Sequence, residues 1–142
     1  MNEKSLGEKI ATAEVYKSNI SLLEQQEEFL KSALDDFMAA KETLKNYSNS
    51  ENGDDILVPV GGNTFIFAKV SDSKKVLRGV GNELVLEQNM ETALERITAH
   101  IEEIGDSMQK VSSKVVDLQR KHHALSAEIQ KEYAQFEQGA QG

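Results

Sequence analysis

Apolar residues recur along the C-terminal part of the chain at alternating steps of four and three: Met90, Leu94, Ile97, Ile101, Ile104, Met108, Val111, Val115, Leu118, Leu125, Ile129 and Phe136. Only His122 and Glu132 interrupt the series. Sustained over roughly seven heptads, this spacing predicts a coiled-coil seam rather than the face of an ordinary globular helix. The N-terminal part carries a second stripe of Leu6, Ala13, Tyr16, Ile20, Leu23, Leu30, Leu34, Phe37 and Leu44. Its polar exceptions, Lys9, Glu27 and Lys41, are of the kind that fix register at some cost in stability. Neither arm contains Pro, and Glu, Gln, Lys, Ala and Leu dominate both, as helix propensity requires. Helices are therefore predicted over 6–47 and 88–138, the second opened by Asn89 as cap ahead of Thr92 and Glu95.

Between the arms the periodicity changes from helical to strand-like. Ser48 to Asp55 is rich in Asn, Asp, Ser and Gly, which bond their own backbone or tolerate left-handed geometry, so it reads as a loop. Four short segments follow, Ile56–Val60, Thr64–Val70, Val76–Val80 and Leu84–Glu87, where β-branched and aromatic residues concentrate. Gly61-Gly62-Asn63 and Gly81-Asn82-Glu83 supply residues suited to hairpin turns of positive φ. Pro59, the only proline, cannot donate to a ladder and fits an edge strand or a strand end.

The expected fold is α+β: a long antiparallel two-helix coiled coil with two β-hairpins inserted between the helices, within one domain over 1–142. If Leu44 lies near Met90, Leu6 lies near Ile129 and the two termini meet. Two hairpins alone are marginally stable and expose unpaired edges. Phe65 and Phe67 alternate with Ile66, Ala68 and Val70, so both faces are apolar and one packed face does not satisfy them. The strand region is accordingly expected to complete itself with strands from other subunits, through Val58, Val60, Phe65, Phe67, Val70, Val80 and Val85.

Composition narrows the function classes. The formal charge of −8 opposes binding to nucleic acid or to an anionic membrane surface. Absence of Cys removes thiolate metal sites and disulfides. No apolar run approaches a bilayer's thickness and the first residues are polar, so a soluble intracellular protein is expected. Gly61-Gly62 and Gly79-Val80-Gly81 lack the following Lys and hydroxyl of a phosphate loop and read as turn glycines. His100, His122 and His123 offer no four-residue ligand pair, and no Ser–His arrangement resembles a triad. Arg120-Lys121-His122-His123 reads as exposed surface, and the carboxylates as solvated helix faces pairing with Lys. No catalytic, cofactor-binding or metal-binding residues are assigned, and an enzyme is not expected.

The run Ile56-Leu57-Val58-Pro59-Val60-Gly61-Gly62, then Phe65, Lys69-Val70, Val80-Gly81 and Val85-Leu86-Glu87 ahead of a long heptad helix, resembles the α class of the prefoldin family. The resemblance extends over essentially the whole chain, and the two hairpins fit the α class better than the β class; the short tail resembles archaeal members. It implies a cytoplasmic hexamer of two α and four β subunits, built on a double β-barrel of hairpins. It also implies a chaperone that binds non-native polypeptides at coiled-coil tips without nucleotide and transfers them to a group II chaperonin.

Apolar residues also lie off the seam. Ile10, Val15, Leu22, Phe29 and Met38 fall outside it, and Val15, Leu22 and Phe29 repeat every seven residues. They either widen the seam, since ordinary helices bury more than two positions in seven, or form an exposed binding surface. On the second reading Leu6, Ile10, Ala13, Val15, Ile129, Tyr133 and Phe136 line a client-binding end where the helices splay. Two other functions remain open: a passive coiled-coil tether, and a coiled-coil arm contacting structured RNA, which the acidic charge disfavours.

Overall fold

The computed structural model describes residues 3–141. The element order is α1 (Glu3–Ser48), β1 (Asp55–Gly61), β2 (Thr64–Lys69), β3 (Lys75–Gly81), β4 (Leu84–Asn89) and α2 (Met90–Gln141). Two long helices thus flank two antiparallel hairpins, β1-β2 and β3-β4, each a separate two-stranded sheet. The strands begin and end within two residues of the expected spans. Two compact units are distinguishable: Met1–Ser32 with Gly105–Gly142, and Ala33–Ile104.

In the first unit, the heptad residues of both helices are the ones withdrawn from solvent. Ala13, Val111 and Val115 are buried, and Leu6, Tyr16, Ile20, Leu23, Leu30, Met108, Leu118, Leu125 and Ile129 are half-buried. The polar interruptions follow the same rule: Lys9, Glu27, His122 and Glu132 are half-buried. Lys9 crosses to α2, where its Nζ bonds the Glu132 carboxylate and lies 3.6 Å from Glu128 Oε2. Lys9 beside Glu128 and Glu132 sets Phe136 level with the first turn of α1. Glu3 and Lys4 offer no apolar partner there, and Phe136 is 50% exposed despite its seam position.

In the second unit, α1 ends where Ser48 Oγ turns back on the Lys45 carbonyl (2.7 Å). The loop after it is held by its own side chains. Asp54 Oδ2 accepts from Glu51 N (2.8 Å), and Asn52 Oδ1 accepts from Ser73 N (3.0 Å). Asn89 Oδ1 accepts from Thr92 N (2.8 Å), the expected cap at the start of α2. Phe37 of α1 stacks on His100 of α2, ring centroids 5.3 Å apart. Met90, Ala93 and Ile97 are buried, forming the small core of this unit with Val70 and Ser73.

The two hairpins are the same object twice, offset by twenty residues, a repeat the hydrophobic pattern alone does not reveal. In β1-β2, Asp55 opposes Lys69 and Pro59 opposes Phe65; in β3-β4, Lys75 opposes Asn89 and Gly79 opposes Val85. Both ladders slip one residue before the turn, at Gly61 and Gly81. These glycines have φ of 103° and 104°, a region closed to side chains, and Gly62, Asn63, Asn82 and Glu83 follow at 51–61°. Paired positive φ values match the right-handed twist of the flanking strands. The ends of the repeat also correspond: Val70 N bonds Asp54 O (2.9 Å) and Met90 N bonds Lys74 O (2.7 Å), and both side chains are buried.

Candidate interaction surfaces

Cross-strand partners share a face, so each hairpin has two. On β1-β2, Ile56, Val58 and Ala68 lie half-buried on one face with the exposed Ile66. The other face holds Leu57, Pro59, Phe65 and Phe67, all exposed, Phe67 at 89%. On β3-β4 the corresponding open face holds Leu77 and Val85. Val60, Val80 and Leu84 are exposed near the turns. Soluble proteins rarely leave that much adjoining apolar surface to water unless it meets a partner.

Of the residues expected to meet other subunits, Val60, Phe65, Phe67, Val80 and Val85 are exposed and Val58 is half-buried. Val70 differs. It is 2% exposed, because its backbone leaves the strand to bridge Gly53 and Asp54, and it has no surface to offer. Sequence reasoning also passed over Arg78 and Gln88, which take the places of Val58 and Ala68 in the second hairpin. Arg78 Nε and Gln88 Oε1 are buried without a hydrogen-bond partner.

On the helix pair, the residues expected at the client-binding end divide. Ala13, Leu6 and Ile129 belong to the seam, Ala13 buried and the other two half-buried. Ile10, Val15, Tyr133 and Phe136 are exposed. Ile10 and Tyr133 directly follow the paired Lys9 and Glu132, which in an antiparallel pair places them on the same side. Val15 is five residues from Ile10, roughly 140° around the helix, and belongs to a different surface. Leu22, Phe29 and Met38 are exposed as well, so the seam takes in none of the five off-seam residues Ile10, Val15, Leu22, Phe29 and Met38, although Ala33, Ala40 and Tyr47 beside it are half-buried.

The bond to Glu132, followed by the charges of Glu132 and Glu128, raises the pKa of Lys9 above its ordinary 10.5 against a smaller opposing effect of burial. Lys9 is thus a fixed cation at neutral pH, not a proton carrier. A cleft of about 580 Å³ lies among Thr43, Leu44, Tyr47, Ser71, Asp72, Lys75, Val76, Leu77 and Glu87. Among the described residues, no three His, Cys, Asp or Glu are grouped to hold a metal, and no helix is long and apolar enough to cross a membrane.

Residues 16–135 match the family described as prefoldin subunit. The chain is 30% identical over 125 residues to prefoldin subunit alpha of Methanocorpusculum labreanum, covering 88% of this chain and 85% of that one. It is 27% identical over 135 residues to prefoldin subunit alpha of Archaeoglobus fulgidus, covering 92% and 98%. Among solved structures, filamentous prefoldin from Methanocaldococcus jannaschii, determined by cryo-EM, superposes with a TM-score of 0.69 at 25% identity, covering 83% of this chain and 98% of that one. The prefoldin beta subunit from Thermococcus strain KS-1 shares the fold with a TM-score of 0.59 at 16% identity, covering 89% and 90%. Paired heptad helices and twin hairpins with open apolar faces agree with these likenesses: the chain belongs to the prefoldin family of chaperone subunits and resembles archaeal alpha subunits.

Proposed function

We propose that this chain is the α-type subunit of a cytoplasmic holdase that captures non-native polypeptides without nucleotide and delivers them to a group II chaperonin. Its hairpins join β-type subunits, two α with four β, by completing a shared β-barrel. The observation that carries the client-binding part is the exposure of Ile10, Tyr133 and Phe136 around the Lys9–Glu132 pair. Large apolar side chains stand in water there, beside a polar contact that keeps the helices together. Each contributes about 1–2 kcal/mol on meeting an unfolded segment. Such contacts are weak and tolerant of sequence, and several subunits acting on one client multiply them into useful avidity. Neighbouring Glu and Lys side chains keep the empty surface hydrated.

The test is suppression of aggregation of a denatured protein by the assembled complex carrying Ile10→Ser, Tyr133→Ser and Phe136→Ser. Suppression is expected to fall at least several-fold while the assembly stays intact by native mass spectrometry. Undiminished suppression would remove the surface from client holding and favour a passive tether. Delivery is tested separately, by recovery of client activity on adding chaperonin and ATP.

A further inference from the structure

The outer side of α1 holds a second heptad ridge that the seam does not use. Ala11, Val15, Ser18, Leu22, Gln25, Phe29 and Ser32 follow one another at alternating steps of four and three, and all seven are exposed. At roughly 100° of rotation per residue, these positions lie on the side of the helix turned away from the seam. One column of the ridge is large and apolar: Val15, Leu22 and Phe29, the last 73% exposed. The other is small or amide-bearing: Ala11, Ser18, Gln25 and Ser32. Along one flank run Thr12, Asn19 and Gln26, also exposed and uncharged. In a chain of which 28% is charged, neither this ridge nor that flank carries a charge over about 32 Å.

The opposite flank is charged, and with one sign. Glu14 and Glu28 border the ridge two heptads apart, with Ser21 between them, and Glu8 precedes Val15 in the apolar column. None of the three acids takes part in an ion pair among the described residues. In an antiparallel pairing of two copies centred on Ser21, Glu14 of one copy would face Glu28 of the other at both ends of the seam. A parallel pairing would stack Glu8 on Glu8. The charge pattern therefore selects against a second copy and for a cationic partner.

We propose that this ridge is a docking seam for an α-helix of another protein. That helix carries a heptad apolar column to interdigitate with Val15, Leu22 and Phe29, and Lys or Arg residues two heptads apart to pair with Glu14 and Glu28. Its large residues seat over Ala11, Ser18 and Ser32, where small side chains leave the holes that knobs require, and the Gln25 amide lies where it meets a polar group of the partner. The regular spacing is what distinguishes this face from a client surface: an unfolded segment has no use for alternating steps of three and four, whereas a helix does. The proposal is independent of the client-holding reading, which rests on Ile10, Tyr133 and Phe136.

The test uses the full chain and a fluorescein-labelled 28-residue helical peptide. The peptide has Leu in one heptad column, Ala in the other, and Lys at two flank positions fourteen residues apart; it is assayed at a concentration where sedimentation shows it monomeric. Saturable binding by anisotropy is expected. Leu22→Gln with Phe29→Gln weakens it at least tenfold, whereas Met38→Gln, also exposed on the same helix, leaves it within twofold. Changing the two peptide Lys to Glu weakens binding several-fold, and Glu14→Lys with Glu28→Lys in the protein restores it. Absence of saturable binding, equal binding of a scrambled peptide of the same composition, or insensitivity to the Leu22/Phe29 pair would each overturn the proposal. So would self-association of the chain that the Leu22/Phe29 pair abolishes.

Discussion

Replacing Phe67 by Ser separates assembly from folding. At 89% exposure, Phe67 contributes almost no burial within the chain, so its loss changes the stability of the isolated protein by no more than about 0.5 kcal/mol. Its cross-strand partner Leu57 is also exposed, so truncation opens no cavity. In an assembly that covers this face, the same side chain transfers from water to an apolar contact, worth about 1.5–3 kcal/mol. Affinity for a β-type partner is then expected to fall roughly 10- to 100-fold for each site. Native mass spectrometry of a titration with that partner reads the affinity, and urea unfolding of the isolated chain reads the stability. Val70→Ser is the converse control. A side chain 2% exposed and packed against the hairpin base should cost about 2–3 kcal/mol of chain stability. The reasoning is refuted if Phe67→Ser destabilises the isolated chain as much as Val70→Ser does, or if the complex forms with undiminished affinity.

Arg78→Val with Gln88→Ala copies the first hairpin into the second and removes two buried polar atoms without partners. It should stabilise the isolated chain by about 1–3 kcal/mol in urea unfolding while weakening a complex that supplies those partners. Because the Lys9 pKa is raised, the contact with Glu132 contributes fully below pH 10.5 and is lost as pH climbs through the higher folded value. Interhelical distance by spin labels on residues 12 and 129 should therefore widen in strong alkali, and Lys9→Met should abolish that dependence. Asn89→Ala removes the acceptor for Thr92 N and should lower stability by about 1 kcal/mol in thermal melts followed by circular dichroism, with Asn89→Asp restoring it.

The heptad seams were legible because period 3.5 reports one thing only, which side of a helix is dry, and nothing in the surroundings competes with it. Lys9, Glu27, His122 and Glu132 could be placed in the seam by position alone, against their chemistry. Strand ends and turn residues were legible for a similar local reason: glycine and asparagine announce positive φ. Burial at the hairpin bases was not. The alternation that makes Val70 look like a seventh strand residue continues past Lys69, while the backbone has already turned to bond Gly53 and Asp54. Ala93, buried at 1%, falls between heptad positions, twenty residues after Ser73, which is also buried. The hairpin repeat escaped notice because its inner face diverged, Val58 becoming Arg78 and Ala68 becoming Gln88. Which off-seam residues remain wet depends on how far two helices reach around each other, a quantity no single helix encodes.

Carrying one connector twice has an arithmetic consequence. If each hairpin joins one neighbour, a chain with two is divalent in the polymer chemist's sense, and a relative with one is a stopper. Divalent units alone have no natural terminus; they close on themselves or grow without limit, according to the angle between links. Mixed with stoppers they yield discrete particles whose size follows the mixing ratio. The divergence of Arg78 and Gln88 would then add polarity to the link, its two ends being chemically unlike.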